Sequence, residues 1–145
     1  MGIGFLEAFA QRYDAIADAF GDSIGMGTSL TAHVSLSSTG HRLLAGDRLF
    51  DAELGPLASF AFPLSPGFPQ NGALSALAPD GEHGYFAQGV DENGSMYVVR
   101  KVRLVDGVVV ESVVLPGRPF AMQVVAGGDT LIVWVSFEIV VMDLR

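Results

Sequence analysis

Four short apolar segments separated by three turn signals fill residues 72–115, and this alternation constrains the fold more than any other feature of the chain. The turn signals are Asp80-Gly81, Asn93-Gly94 and Asp106-Gly107, whose residues tolerate the positive φ of tight hairpin turns. Three tight turns that join four strands predict one antiparallel meander. The predicted strands are Ala73–Leu77, Tyr85–Gln88, Met96–Leu104 and Val108–Leu115.

Two further groups of apolar segments repeat this pattern, one on each side of the meander. Gly40, Gly81 and Gly128 mark equivalent turns between the first two segments of each group. They recur with a period of roughly 40–50 residues, and four strands at such a period are typical of propeller blades. The first group predicts strands at Leu30–Leu36, Arg42–Ala45, Leu49–Glu53 and Leu57–Phe62, and the third at Phe120–Val125, Leu131–Val135 and Ile139–Leu144.

The N-terminal residues carry a different pattern. Phe5, Leu6 and Phe9 fall on one face of a 3.6-residue period, and the pattern predicts a helix over Ile3–Gln11. Asp14–Phe20 has two interpretations: it continues the helix, or it is a strand that closes the propeller. The predicted division of the chain is 1–28 for the N-terminal helix and closing strand, and 29–71, 72–116 and 117–145 for the three blades.

Composition limits the kinds of partner and the compartment. The net charge of −8 argues against nucleic acid as a partner, because the phosphate backbone requires clustered Lys and Arg. The longest apolar runs are too short to span a bilayer, so no membrane partner is predicted. The chain has no Cys, and its start lacks the basic region of a secretory signal. We therefore expect a cytoplasmic protein, with a fragment of an exported protein as the alternative.

One turn carries a family resemblance. Residues 78–81, Ala-Pro-Asp-Gly, are similar to the Ser-Pro-Asp-Gly turn that follows the inner strand in WD-repeat and YVTN-type β-propeller blades. Ser38-Thr39-Gly40 and Gly127-Gly128 match it loosely, and Phe50-Asp51 and Met142-Asp143 stand in place of the Trp-Asp dipeptide of true WD repeats. The resemblance covers about residues 30–145. It implies an all-β fold with a short N-terminal helix and three four-stranded antiparallel blades, half of a six-bladed propeller.

Such a propeller implies a function in binding rather than catalysis. We expect a non-enzymatic binding or scaffold module that presents loops to a protein partner, with neither cofactor nor metal. Trp134 lies in an apolar run and is predicted to be a core residue rather than a ligand platform. The candidate binding residues, all outside the predicted strands, are Asp47, Arg48, Gln70, Asn71, Asp91, Glu92 and Arg118.

Three blades also predict self-association. Closed propellers contain about 4–8 blades, so half a ring would leave apolar flanks bare on its first and third blades. Two copies related by a two-fold axis would close a ring of six, and a homodimer is therefore favoured. The third group ends after three strands, and an N-terminal strand from the partner copy would supply the fourth. The rival interpretations are a fragment of a longer propeller and a compact monomeric sheet.

Two alternative functions stand beside the binding module. Gly21–Gly25 satisfies the G-x-S-x-G pattern and resembles the GDSL hydrolases, which implies Ser23 as nucleophile, His83 as base and Asp80 as the group that orients it. A nucleophile elbow also requires a helix after the serine, and residues 26–32 are poor helix formers. The other alternative is a small-ligand binder that uses the central channel.

Overall fold

The computed structural model describes residues 8–14, 16, 18–27, 34–60, 74–90, 95–125 and 127–145. In these ranges the chain forms thirteen β-strands and no helix. Consequently, no described segment is a helix long and apolar enough to cross a membrane. Every strand pair is antiparallel, and the all-β class predicted from the sequence is confirmed.

The strands form four sheets that follow the chain order. An N-terminal sheet contains β1 (Ala8–Asp14) and β2 (Ala19–Gly27). The first sheet contains β3 (Val34–Leu36), β4 (Arg42–Ala45), β5 (Arg48–Asp51) and β6 (Pro56–Ser59). The second contains β7 (Leu74–Leu77), β8 (His83–Gly89), β9 (Tyr97–Arg103) and β10 (Val108–Leu115). The third contains β11 (Pro119–Val124), β12 (Thr130–Val135) and β13 (Glu138–Asp143).

The turn between the first two strands has the same hydrogen bonds in the first, second and third sheets. Gly40, Gly81 and Gly128 have φ angles of 71°, 70° and 80°, a conformation that favours glycine. Each donates its N–H to the carbonyl three residues earlier at 2.9 Å. A second bond closes each turn from an N–H to the carbonyl five residues later; the pairs are Ser37 with Arg42, Ala78 with His83 and Val125 with Thr130. The repeat seen in the sequence is therefore a structural repeat.

Two apolar interfaces stack the three sheets face to face. The first and second sheets share one buried cluster, which includes Leu44 and Phe86, both 0% exposed. The second and third sheets share another, which includes Tyr85 and Leu131. Burial in this second interface, together with the charges of Asp80 and Glu111, raises the pKa of Tyr85 to about 12. The stack is therefore held mainly by the burial of apolar side chains.

In the stack of three sheets, the forward face of a sheet points in the direction that runs from the first sheet to the third, and the rear face is the opposite one. The forward faces of the first and second sheets pack on the rear faces of the second and third. Alternation along a strand sends successive side chains to opposite faces. In β8, Tyr85 and Ala87 pack forward against the third sheet, whereas Phe86 packs rearward against the first. In β12, Leu131 and Val133 pack rearward against the second sheet. The other face of that strand carries Ile132 and Trp134.

The N-terminal helix predicted over Ile3–Gln11 is wrong where the structure describes it. Residues 8–11 belong to β1, which pairs with β2 in a hairpin, and residues 3–7 lie outside the described ranges. Hairpin pairing overrides helix propensity here, because propensity is a weak preference that tertiary pairing often exceeds.

Neither interpretation of Asp14–Phe20 describes that segment. β1 ends at Asp14 and β2 begins at Ala19, with turn residues at Ile16 and Asp18. The φ of Asp18 is 49°, and aspartate is one of the residues that tolerate this left-handed conformation. β1 and β2 pair with each other and not with the third sheet of the same chain. The third sheet therefore keeps three strands, as the sequence predicts, with β13 at its edge.

Candidate binding groove

A groove of about 1100 Å³ runs along the first strands of the three stacked sheets. β3, β7 and β11 form its walls, together with parts of the turns that follow them and the end of β12. None of the described residues that line it is charged, although 17% of the chain is charged. The lining residues are Val34, Ser35, Leu36, Ser38, Ser75, Ala76, Leu77, Pro79, Phe120, Ala121, Met122, Gln123, Val124, Val125, Gly127, Trp134, Val135 and Ser136.

Serine side chains fix the first wall of the groove to the second. The hydroxyl of Ser35 accepts a hydrogen bond from the Leu77 N–H at 2.7 Å. Ser38 donates twice to the Pro79 carbonyl, from its hydroxyl at 2.7 Å and from its N–H at 3.2 Å. These bonds satisfy backbone groups at the strand edges and hold β3 against β7.

Large apolar side chains in the lining remain exposed. Val34, Leu36 and Phe120 are each more than half exposed, and Trp134 is 37% exposed. A concave apolar surface with a few polar groups is the usual form of a ligand site. The absence of charge in the lining favours an apolar, uncharged ligand over an ionic one. Trp134 is thus part of the candidate site, and the prediction that it is a core residue is wrong.

One polar group in the groove wall has no protein partner. The hydroxyl of Ser75 is buried and makes no hydrogen bond among the described residues, and the same is true of the side-chain amide of Gln88. A buried polar group without a partner costs about 1–3 kcal/mol. Since Ser75 belongs to the groove lining, a polar atom of a bound ligand could recover part of that cost.

The loop residues predicted to bind a partner lie away from the groove. Asp47 lies in the turn between β4 and β5, Arg48 is the first residue of β5, and Arg118 lies in the segment that leads into β11; all three are exposed. None of the three lines the groove. Gln70, Asn71, Asp91 and Glu92 lie outside the described residues. The binding role of all seven stays a prediction.

Strand order places the described loop residues at one end of the stack. The first turn of each sheet meets its neighbour: Ser38 bonds to Pro79, and a side chain at Gly128 would approach Pro79 to 2.7 Å. In an antiparallel sheet the turn between strands two and three lies at the opposite end from the turn between strands one and two. The segment that enters strand one also lies at that opposite end. Asp47, Arg48 and Arg118 therefore share the end opposite these turns.

The residues of the hydrolase alternative occupy two different sheets. Ser23 lies inside β2, which continues to Gly27, so the strand–turn–helix geometry of a nucleophile elbow is not formed there. Asp80 and His83 do form a pair, with Asp80 Oδ2 3.0 Å from His83 Nδ1. Both belong to the turn between β7 and β8, where Asp80 Oδ1 also accepts the N–H groups of Glu82 and His83. The pair is explained by turn structure.

The environment of Asp80 favours its ionised form. Partial burial raises the pKa of its carboxyl, but the hydrogen bonds from His83 and from the backbone outweigh burial, so the pKa lies below its usual 3.8.

Among the described residues, no three His, Asp or Glu side chains are grouped as metal ligands.

Comparison with known proteins identifies the architecture. No protein-family model matches the chain, and no curated protein matches its sequence. Solved structures do match. Hydrazine synthase from Kuenenia stuttgartiensis matches with a TM-score of 0.57 and 19% identity, over 78% of this chain and 32% of that one. The β-propeller domain of Cps50 (Swd1) from Myceliophteria thermophila matches with a TM-score of 0.56 and 14% identity, over 80% of this chain and 36% of that one.

A third match is the complex of KlAtg21 with the coiled coil of AgAtg16, with a TM-score of 0.57 and 19% identity over 91% of this chain and 46% of that one. At these identities the likeness shows the fold alone. The chain spans between about a third and a half of the length of the structures that it matches. Its fold is that of β-propeller blades, as the sequence resemblance implies.

Proposed function

We propose that this chain is a non-enzymatic binding module of the β-propeller type, which takes an apolar, uncharged segment of a protein partner into its groove. The observation that carries the proposal is the charge-free lining, in which Leu36 and Phe120 are 62% and 59% exposed. Exposed apolar surface of this kind marks interaction sites more often than inert surface. The similar KlAtg21 was solved in complex with the coiled coil of AgAtg16, which is also a protein partner.

The proposal also covers how copies of the chain assemble and which exposed residues the assembly presents. Three sheets are half of a six-bladed ring, and a second copy would supply the other half. In the closed ring, Asp47, Arg48 and Arg118 would be presented together at one rim. We place this module in the cytoplasm on the strength of composition alone.

A peptide-display selection tests the groove. Random peptides are selected on the wild-type chain and then measured on Leu36→Glu, which puts a charge into the lining. We expect the enriched peptides to be apolar and poor in charge. They should change the fluorescence of Trp134, since this residue is the one tryptophan of the chain and lies in the groove. Their affinity for Leu36→Glu should be at least tenfold lower.

Val105→Glu is the matched control, because Val105 is 84% exposed and lies outside the groove lining. This variant should bind the selected peptides like the wild type. Selection of peptides that bind Leu36→Glu equally well, or failure to enrich any peptide, would show that the groove is not the binding site.

A further inference from the structure

The outer strand of the second sheet, β10, has a long edge that carries none of the usual protection against pairing. One side of its backbone pairs with β9, and no strand of the described residues pairs with the other side. Exposed edges are commonly protected by shortness, proline or charge. The outer strand of the first sheet, β6, has four residues and begins at Pro56. β10 has eight residues, no proline, and Glu111 as its one charged residue.

The valine side chains of β10 are exposed although the strand belongs to the middle sheet of the stack. Val109 and Val114 lie opposite Val102 and Val98, on the rear face of the second sheet. They are 42% and 65% exposed, although the first sheet, with its own outer strand, packs on that face. The exposure of these two valines is therefore a property of the stack itself.

Hydrogen bonds at the two ends of β9 show which way its backbone groups point. Val90 donates its N–H to the Met96 carbonyl at 3.0 Å, and Leu104 donates its N–H to the Glu82 carbonyl at 2.8 Å. Both bonds join an even-numbered residue at an end of β9 to the β8 side. In an antiparallel ladder, alternate residues direct both of their backbone groups to the same side. The odd-numbered residues of β9 therefore direct their N–H and C=O groups toward β10.

This alternation identifies the outward groups of β10. Val113 and Leu115 lie opposite odd-numbered residues of β9 and therefore bond to them. Ser112 and Val114 alternate with these residues, so their N–H and C=O groups point away from β9. No hydrogen bond among the described residues engages these outward groups. The edge thus offers two consecutive outward positions to another strand.

We infer that β10 pairs with β10 of a second copy, antiparallel and about a two-fold axis through Val113. In this register Ser112 of each copy lies opposite Val114 of the other. Each such pair exchanges both of its N–H···O=C bonds, so every outward group of the two residues gains a partner. The second sheets of the two copies then form one continuous sheet, and the contact is isologous.

The sequence of β10 favours this register over its neighbours. An axis through Val114 would set Ser112 opposite Pro116, which has no N–H to donate. An axis through Ser112 would set Val114 opposite Val110, where the register of β10 is shifted by a bulge. Only the axis through Val113 matches both outward residues with regular strand positions.

Charge is also compatible with self-pairing at this axis. Glu111 lies opposite Leu115 of the second copy, so the two carboxylates do not face each other. The exposed valines of the two strands meet side by side, and β-branched cross-strand pairs stabilise a sheet. β10 and β7 are opposite edges of the second sheet, and no residue of β10 lines the groove. The contact therefore goes beyond the proposed binding function.

Disulfide trapping tests the register, and the chain has no native cysteine to interfere. Val113→Cys places two thiols opposite each other at a Cα separation of about 4.5 Å, within the range that a disulfide spans. Under mild oxidation it should give a linked dimer of twice 15.3 kDa. The control is Val105→Cys, in the turn before β10 and 84% exposed. It should link at least about tenfold more slowly, and equal rates overturn the inference.

Proline tests the backbone contact without changing the ladder to β9. Ser112→Pro removes an outward N–H, and edge strands tolerate proline at such positions. Added to Val113→Cys, it should abolish the trapping, whereas Ser112→Thr should leave it unchanged. Val114→Pro replaces Ser112→Pro if circular dichroism shows that the latter alters the fold. A folded proline variant that is trapped as before overturns the inference.

Light scattering on chains without cysteine separates this contact from the proposed function. At equal concentration the wild type should have a higher average mass than Ser112→Pro, and equal masses overturn the inference. Ser112→Pro should keep the affinity of the selected peptides, because β10 does not line the groove. A chain that pairs through β10 but binds no peptide keeps the inference and overturns the proposed function. A chain that binds peptide and never pairs does the reverse.

Discussion

The rear and forward faces of the third sheet are made of the same kinds of residues, but only one of them is covered. Leu131 and Val133 on the rear face are 0% exposed, whereas Ile139 and Val141 on the forward face are more than half exposed. The strands, the hairpins and the apolar character are shared. The two faces differ in their neighbours, because the second sheet packs on the rear face and no described sheet comes after the third. Burial in a stacked repeat is decided by neighbours and not by composition.

The largest expected effect contrasts these two faces directly. Leu131→Ala should lower the free energy of unfolding by about 2–5 kcal/mol, because it removes apolar contacts and leaves a cavity in the interface with the second sheet. Ile139→Ala on the forward face should cost less than about 1 kcal/mol. Urea unfolding at a concentration where both variants are monomeric measures the difference. Equal losses would mean that the forward face of the third sheet is covered within the single chain.

The equivalence of the three turns can be tested at its middle member. Gly81 has a φ of 70°, and a side chain there would also lie 3.3 Å from Ser37 Cβ. Gly81→Val should therefore cost about 1–3 kcal/mol of stability in a thermal or urea melt. Gly117→Val serves as control, since Gly117 has no left-handed φ and its nearest neighbour would lie at an ordinary 3.6 Å. A Gly81→Val melt that matches the control would contradict the turn assignment.

The smallest expected effect concerns the residue that sets the second turn apart from the other two. Asp80→Asn removes a carboxylate that accepts hydrogen bonds from His83 and from two backbone N–H groups. Because Asp80 is largely exposed, we expect a loss of only about 0.5–1.5 kcal/mol at neutral pH.

The sign of the pH dependence comes from the lowered pKa of Asp80. The carboxylate contributes its stability above the unfolded value of 3.8, and that contribution is lost as the pH falls through the lower folded value. The stabilities of the wild type and Asp80→Asn should therefore converge at acid pH. A difference between them that stays constant from pH 7 to pH 2 would show that the charge of Asp80 is irrelevant.

Sequence reasoning locates the strands of the three stacked sheets because their signals are local. Gly81 and Gly107 lie at positive φ where Asp-Gly pairs predict turns. Sequence reasoning fails in the N-terminal hairpin, where an apolar period typical of a helix coincides with a strand. Pairing between β1 and β2 decides that segment, and no local signal reports it.

The candidate groove could not be predicted in the same way. Its lining comes from four strands in three sheets that are distant in the chain, so the residues share no spacing or motif. Trp134 illustrates the limit: its apolar neighbours indicate a core position, and strand alternation alone does not say which face a later sheet will cover. The loop residues Asp47, Arg48 and Arg118 are exposed, as expected of residues in turns, but the sequence alone does not relate them to the groove.

The repeat, the turns and the antiparallel meander of this chain are encoded locally in its amino-acid sequence. These features depend on the backbone freedom of glycine and on apolar alternation, which each segment carries within itself. The burial of particular apolar faces, and the enclosure of a charge-free groove by three first strands, emerge only in the folded molecule. Those outcomes depend on the order in which sheets stack, and stacking is a contact between segments that no single segment encodes.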